Sequence, residues 1–194
     1  MLARRYGLVL AFLLIPIEAR AHLHKAGAFF ARSFDEGSRL GGFTIGGEFM
    51  LAGKTPGDSL CHGYPASRCT SWLSLFVYTS TNWGPHNGGD RTQFALLGGV
   101  RATYTIPPLG ERVELYGHGI GAFVHTQDSK PNTVDRTGGA GVGGGIAFDL
   151  RPSLRPKHEV VAKVQLDYLW LGGVVSHYRL LSVGIEYRFG SWKH

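Results

Sequence analysis

The sequence predicts an all-β chain: eight antiparallel strands running up and down and closing into a barrel. Three observations carry that expectation. Composition suits strands, with 29 Gly, 11 Phe, 8 Tyr and 4 Trp in 194 residues. From Phe43 onward apolar and polar residues alternate with the period at which successive strand side chains change face. Turn residues interrupt that alternation about every ten to fourteen positions, as in a meander of hairpins.

The elements follow in chain order. Residues 1–21 read as a signal peptide: Arg4 and Arg5 precede the apolar run Leu8 to Ile17, and Ala19-Arg20-Ala21 supplies the small-x-small cleavage pattern. The run is half of the ~20 apolar residues that a membrane-spanning helix needs. Cleavage after Ala21 removes three bases and one acid, so the net charge of +6 falls to +4. The remaining positive residues are scattered, which excludes the basic stripe of a nucleic-acid binder and supports at most weak attraction to anionic lipid.

The barrel is expected over residues 22–190, with a short tail at 191–194. A first strand is placed around Lys25 to Ser33. Phe43, Ile45, Phe49 and Leu51 then oppose Thr44 and Glu48. Leu73, Leu75, Val77 and Trp83 oppose Ser74, Tyr78, Ser80 and Asn82, with Phe76 out of pattern. Phe94, Val100, Ala102 and Tyr104 oppose Gln93, Arg101, Thr103 and Thr105, and Val113, Leu115 and Phe123 oppose Glu114, His118 and Ala122. Ala140, Val142, Ile146 and Phe148 face away from a glycine row, Gly139 to Gly145. Val160, Ala162, Val164, Leu166, Tyr168 and Trp170 oppose Glu159, Lys163, Gln165 and Asp167. Leu181, Val183, Ile185, Tyr187 and Phe189 oppose Ser182, Gly184, Glu186 and Arg188. These strands are expected to run nine to thirteen residues, near the 9–11 of a tilted membrane strand. Polar loops are expected at Phe34 to Leu40, Gly84 to Arg91, Thr126 to Thr137 and Gly172 to His177. Turns are placed at Pro107 to Gly110 and Arg151 to His158, together with a segment holding Cys61 and Cys69. In an exported chain those two cysteines, so close together, predict a local disulfide.

Polarity decides between a water-soluble barrel and a transmembrane one. The apolar face is a near-continuous band with Trp83, Tyr104, Phe123, Trp170 and Tyr187 toward strand ends, where ring systems suit a membrane–water boundary. The opposite face carries both charge signs. Glu48, Arg101, Glu114, Lys163, Asp167, Glu186 and Arg188 are expected to pair inside as an ion network, because buried charge persists only when partnered. The expectation is therefore a transmembrane barrel, with a soluble lipocalin-like ligand-binding barrel as the rival.

The last strand, SVGIEYRF over 182–189, resembles the C-terminal assembly signal of outer-membrane barrels, at Ser182, Gly184, Tyr187 and Phe189. With VELYGHGIGAF, GGAGVGGGIAFDL and VQLDYLW, the stretch from Phe94 to Gly190 is similar to the OmpA/OmpX-like outer membrane protein β-barrel family. That resemblance implies an eight-stranded barrel in the bacterial cell outer membrane, inserted by the barrel assembly machinery and holding no cofactor; the peptidoglycan-binding module of full OmpA-type proteins is expected to be absent. Its partners would be outer membrane lipid and that machinery; no nucleic acid is expected, and a monomer is. Family members usually stop at the terminal Phe, whereas this chain continues from Gly190 to His194.

The residues offer little for catalysis. Histidines lack HxH or HExxH spacing, so no metal site is expected. Ser176-His177 could suggest an outer-membrane lipid-modifying enzyme, but adjacent residues in a strand or loop point apart. Glycines 138–145 lack the Lys-Ser/Thr of a phosphate cradle. The expected role is non-catalytic: structural, surface-interacting, or a narrow pore.

Overall fold

The computed structural model describes residues 23–35, 38–54, 71–106, 112–150, 158–173 and 175–190. Eight strands follow one another: β1 (Leu23–Asp35), β2 (Ser38–Lys54), β3 (Ser71–His86), β4 (Gly89–Thr105), β5 (Val113–Ser129), β6 (Asn132–Asp149), β7 (His158–Leu171) and β8 (His177–Gly190). Each pairs antiparallel with the next, and β8 returns to β1, so the sheet closes into a barrel without a free lateral strand. Phe30 of β1, for example, stands opposite Phe43 on β2 and Val183 on β8.

The strands are longer than expected, from 13 residues in β1 to 18 in β6. Three segments expected as loops are mostly strand. β3 runs to His86 and β4 resumes at Gly89 around a two-residue turn, Asn87-Gly88, with φ of 47° and 76°. Asn-Gly is the pair that adopts two positive φ values at least cost, and such a turn follows the twist of its strands. β5 and β6 likewise continue to Ser129 and from Asn132, and β1 and β2 reach Asp35 and Ser38. Polar composition there reflects strands that project beyond the apolar band, where neither face needs to be greasy. The expected signal peptide, the Cys61/Cys69 segment, most of the turns at 107–110 and 151–158, and the tail at 191–194 lie outside the described residues.

Every expected face has the expected sense. Phe43 and Ile45 on β2, Leu75 and Val77 on β3, Val142 and Ile146 on β6, Leu166 on β7 and Ile185 on β8 are exposed, while the alternate positions are buried. Along β3 the band runs from Leu73 to Trp83 and along β7 from Val160 to Trp170. Ten steps at about 3.3 Å, on a strand tilted by about 40°, rise roughly 25 Å, the height of the apolar band of outer-membrane barrels. A continuous exposed apolar girdle of that height is untenable in water.

Candidate functional site in the barrel interior

At the end of the barrel where the chain enters β1 and leaves β8, the inward positions are charged. Arg101 donates to Glu48 at 2.6 Å, to the Gln165 side-chain oxygen at 2.8 Å and to the Tyr78 hydroxyl at 3.1 Å. Lys25 lies 2.9 Å from Glu48 and 4.0 Å from Glu186. Lys163 lies 2.8 Å from Glu186 and 3.8 Å from Glu48, and Ser74 also donates to Glu48. Arg188 forks across Glu114 at 2.5 and 2.6 Å and approaches Glu186 at 3.2 Å and Glu159 at 3.6 Å. The arrangement matches the physical requirement: each of these charges meets an opposite one contributed by a different strand.

Six of the seven residues expected in an internal network thus join one chain of ion pairs: Arg101, Glu48, Lys163, Glu186, Arg188 and Glu114. Asp167 stands apart from those cations. It accepts from Gln165 at 2.8 Å and lies 2.7 Å from His118 Nε2. Sequence reasoning missed Lys25, because the first strand was hard to set in register, and it left His118 unassigned. The hydrogen-bonding partner roles of Tyr78 and Gln165 carry no signal in a single sequence.

Above the ions lies an aromatic layer. Arg101 sits 4.8 Å from the Phe76 ring centroid and 4.6 Å from that of Tyr116, and Lys163 sits 4.7 Å from Tyr116. Cations over ring faces gain further stabilisation once desolvated. Phe76, out of pattern in the sequence, is an inward residue with 1% exposure. Beyond it an apolar layer of Leu97, Ile120, Val124, Leu169 and Leu180 fills the barrel. Nearby, Ser33 donates to Gln93 at 3.2 Å, and Asn82 donates to the Tyr178 hydroxyl at 3.0 Å. The interior is therefore layered: the ion network occupies this end, and an aromatic and aliphatic layer lies beyond it among polar residues such as Ser33, Ser80, Asn82 and Gln93. Packing apolar atoms together removes them from water without adding polar groups that each need a partner.

The inward row of β6 makes room for these side chains. A side chain at Gly145 would overlap the Tyr116 ring, whose hydroxyl donates to the Val164 carbonyl at 3.0 Å. One at Gly143 would run into His118 and Asp167.

At the opposite end, beyond the apolar layer, Arg91 of β4 forks onto Asp128 of β5 at 2.6 and 2.7 Å. That hydrogen-bonded guanidinium holds the Asp128 carboxyl below the usual carboxylate range. The two ring nitrogens of His118 are engaged by Asp167 at 2.7 Å and by Arg101 at 3.4 Å, leaving none to activate a nucleophile. His177 stands exposed on the outer face, its ring 5.8 Å from Tyr168. Among the described residues no group of three or more His, Cys, Asp or Glu is placed to hold a metal ion.

The sequence matches no protein-family model, and no curated protein is similar to it in sequence. Solved structures do resemble it. Neisserial surface protein A (NspA) shares 14% identity over 88% of this chain and 97% of its own, with a TM-score of 0.51. Ail, the attachment invasion locus protein of Yersinia pestis, solved with the heparin analogue sucrose octasulfate, shares 14% identity over 87% of this chain and 98% of its own, with a TM-score of 0.54. With a closed eight-stranded meander, an apolar exterior and these neighbours, the chain has the fold of the OmpA/OmpX-like outer-membrane β-barrels.

Proposed function

We propose that this protein is a non-catalytic integral barrel of the bacterial outer membrane, a sealed structural or surface-interacting element rather than a pore. One observation carries the reading: the polarity is inside out and the interior is full. Arg101 and Glu48 are each 1% exposed, and Phe76, Leu97 and Leu169 stack beyond them, so side chains occupy the cross-section at successive heights. An eight-stranded barrel is just wide enough for its own side chains. On this reading residues 1–21 direct export and are removed after Ala21. Ser182, Gly184, Tyr187 and Phe189 present β8 to the assembly machinery, and the barrel works as a monomer. The turns after β1, β3, β5 and β7 then face outward from the cell.

The processed chain should partition with the membrane fraction, need detergent to stay monodisperse, and migrate faster on gels unheated than boiled. In planar bilayers it should give no steady conductance. A monodisperse water-soluble monomer would overturn the membrane reading, and steady conductance altered by Arg101→Gln would overturn the sealed one.

A further inference from the structure

The outer surface is apolar over most of its height, but three arginines break that pattern together. Arg32 on β1, Arg39 on β2 and Arg179 on β8 are exposed, on three adjacent strands at the end of the barrel near the β1–β2 turn. The register sets their spacing. Phe34 stands opposite both Arg39 and Arg179, so those two share one register position, and Arg32 lies between them one outward position further from the β1–β2 turn. With neighbouring strands about 4.8 Å apart, Arg39 and Arg179 are separated by about 10 Å of backbone, within reach of a single headgroup.

Their surroundings define the ligand. Directly below, Phe30, Phe43 and Trp83 form a ladder with centroids 5.6 and 5.7 Å apart, a rim suited to the boundary between acyl chains and headgroups. Arg32 is paired in register with Gly41, where a Cβ would meet nothing within 4 Å, and Gly41 is paired in turn with Trp83, so an open position separates the arginine from the indole. The carboxylates Glu48 on β2, Glu186 on β8 and Glu159 and Asp167 on neighbouring β7 are buried inside, away from this surface. Among the described residues none of the three arginines is paired with a carboxylate; Arg32 and Arg179 rest instead on the rings of Phe34 and Tyr168. Guanidinium forks at the depth of lipid phosphates complement a phosphorylated headgroup.

Building on the membrane reading above, we propose that Arg32, Arg39 and Arg179 form a site for the phosphate groups of an anionic outer-leaflet lipid, whose acyl chains lie on Phe30, Phe43 and Trp83. The test uses the full barrel folded in zwitterionic detergent and native mass spectrometry with a bisphosphorylated disaccharide lipid. The wild type should retain the lipid. Retention should fall at least tenfold with the dephosphorylated lipid and in the Arg32→Ala/Arg39→Ala/Arg179→Ala variant, and change less than twofold in Lys130→Ala/Arg136→Ala, which removes exposed cations elsewhere at the same end. Should the triple variant not fold, Arg179→Glu alone should lower retention about fivefold. Equal retention by the triple variant or Arg179→Glu, or of the dephosphorylated lipid, would overturn the site. Full displacement by an equal concentration of inorganic pyrophosphate would overturn the lipid as its ligand. A wild type that shows no heat-modifiable folded band before lipid is added would instead sink the membrane reading.

Discussion

Replacing Arg188 by methionine keeps a long unbranched side chain at the charged end of the interior but removes the only cation paired with Glu114 among the described residues. Glu114 is buried and would lose both hydrogen bonds of the fork, at 2.5 and 2.6 Å; Glu186 and Glu159 would each lose a neighbouring charge. Stranding a buried charge in this way costs about 3–5 kcal/mol. The reverse change is gentler. In Glu114→Met, Arg188 retains Glu186 at 3.2 Å and Glu159 at 3.6 Å, so the expected loss is about 1–2 kcal/mol. The double variant should cost less than the two single losses together, by about 2 kcal/mol, because Glu114 is then no longer present to be stranded. Reversible urea unfolding from lipid vesicles, followed by tryptophan fluorescence, measures all four proteins. An Arg188→Met loss below about 1 kcal/mol, or strict additivity in the double variant, would refute the argument that pairing sustains these charges.

Three further outcomes are expected. Leu166→Arg, at a site 55% exposed in the middle of the apolar band of β7, should cost about 2–4 kcal/mol in vesicles; a neutral result would mean that this face does not meet lipid. Gly184→Ala should destabilise the β1–β8 seam by about 1–3 kcal/mol, because a Cβ would collide with the Ala28 carbonyl oxygen and the Phe29 backbone. Gly41→Ala, with open space, should stay within about 0.5 kcal/mol, and the folded fraction on unheated gels separates the two. Asp128 titrates lower folded than unfolded, so its link to Arg91 contributes stability above the ordinary carboxylate range and loses it as pH falls through the depressed value. Amides near the β5–β6 turn should be about threefold less protected from exchange in Arg91→Ala at neutral pH, and acidification to about pH 3 should narrow that gap by lowering the wild type's protection factors. Equal exchange at neutral pH would refute the link.

Strand faces were legible because a period of two is a local property: residues such as Glu48, Lys163 and Glu186 reveal their side of the sheet from their immediate neighbours. Strand ends were not. Polar residues from Gly84 to Arg91 read as a loop although Asn87-Gly88 is itself a hairpin signature, which would have placed the turn there. The layered interior was hidden for a different reason. Phe76 and Leu97 come from the β3–β4 hairpin and Leu169 from β7, far along the chain, and only register brings them together. Alternation shows that Phe76 points inward yet not what waits there. Pairing within the ion network was legible only as a list of members, since the partner of Arg188 lies 74 residues away.

The bare inward row of β6 implies a rule of exchange. A closed cylinder of fixed circumference has fixed room, and in this one the rings and chains of Tyr116, His118 and Leu169 spread into space that Gly145, Gly143 and Gly141 leave vacant. Bulk gained on one strand must be surrendered at the paired position of the strand beside it. Sequences can therefore drift far while the cylinder persists, provided that large and small inward residues trade places between neighbouring strands in compensating pairs.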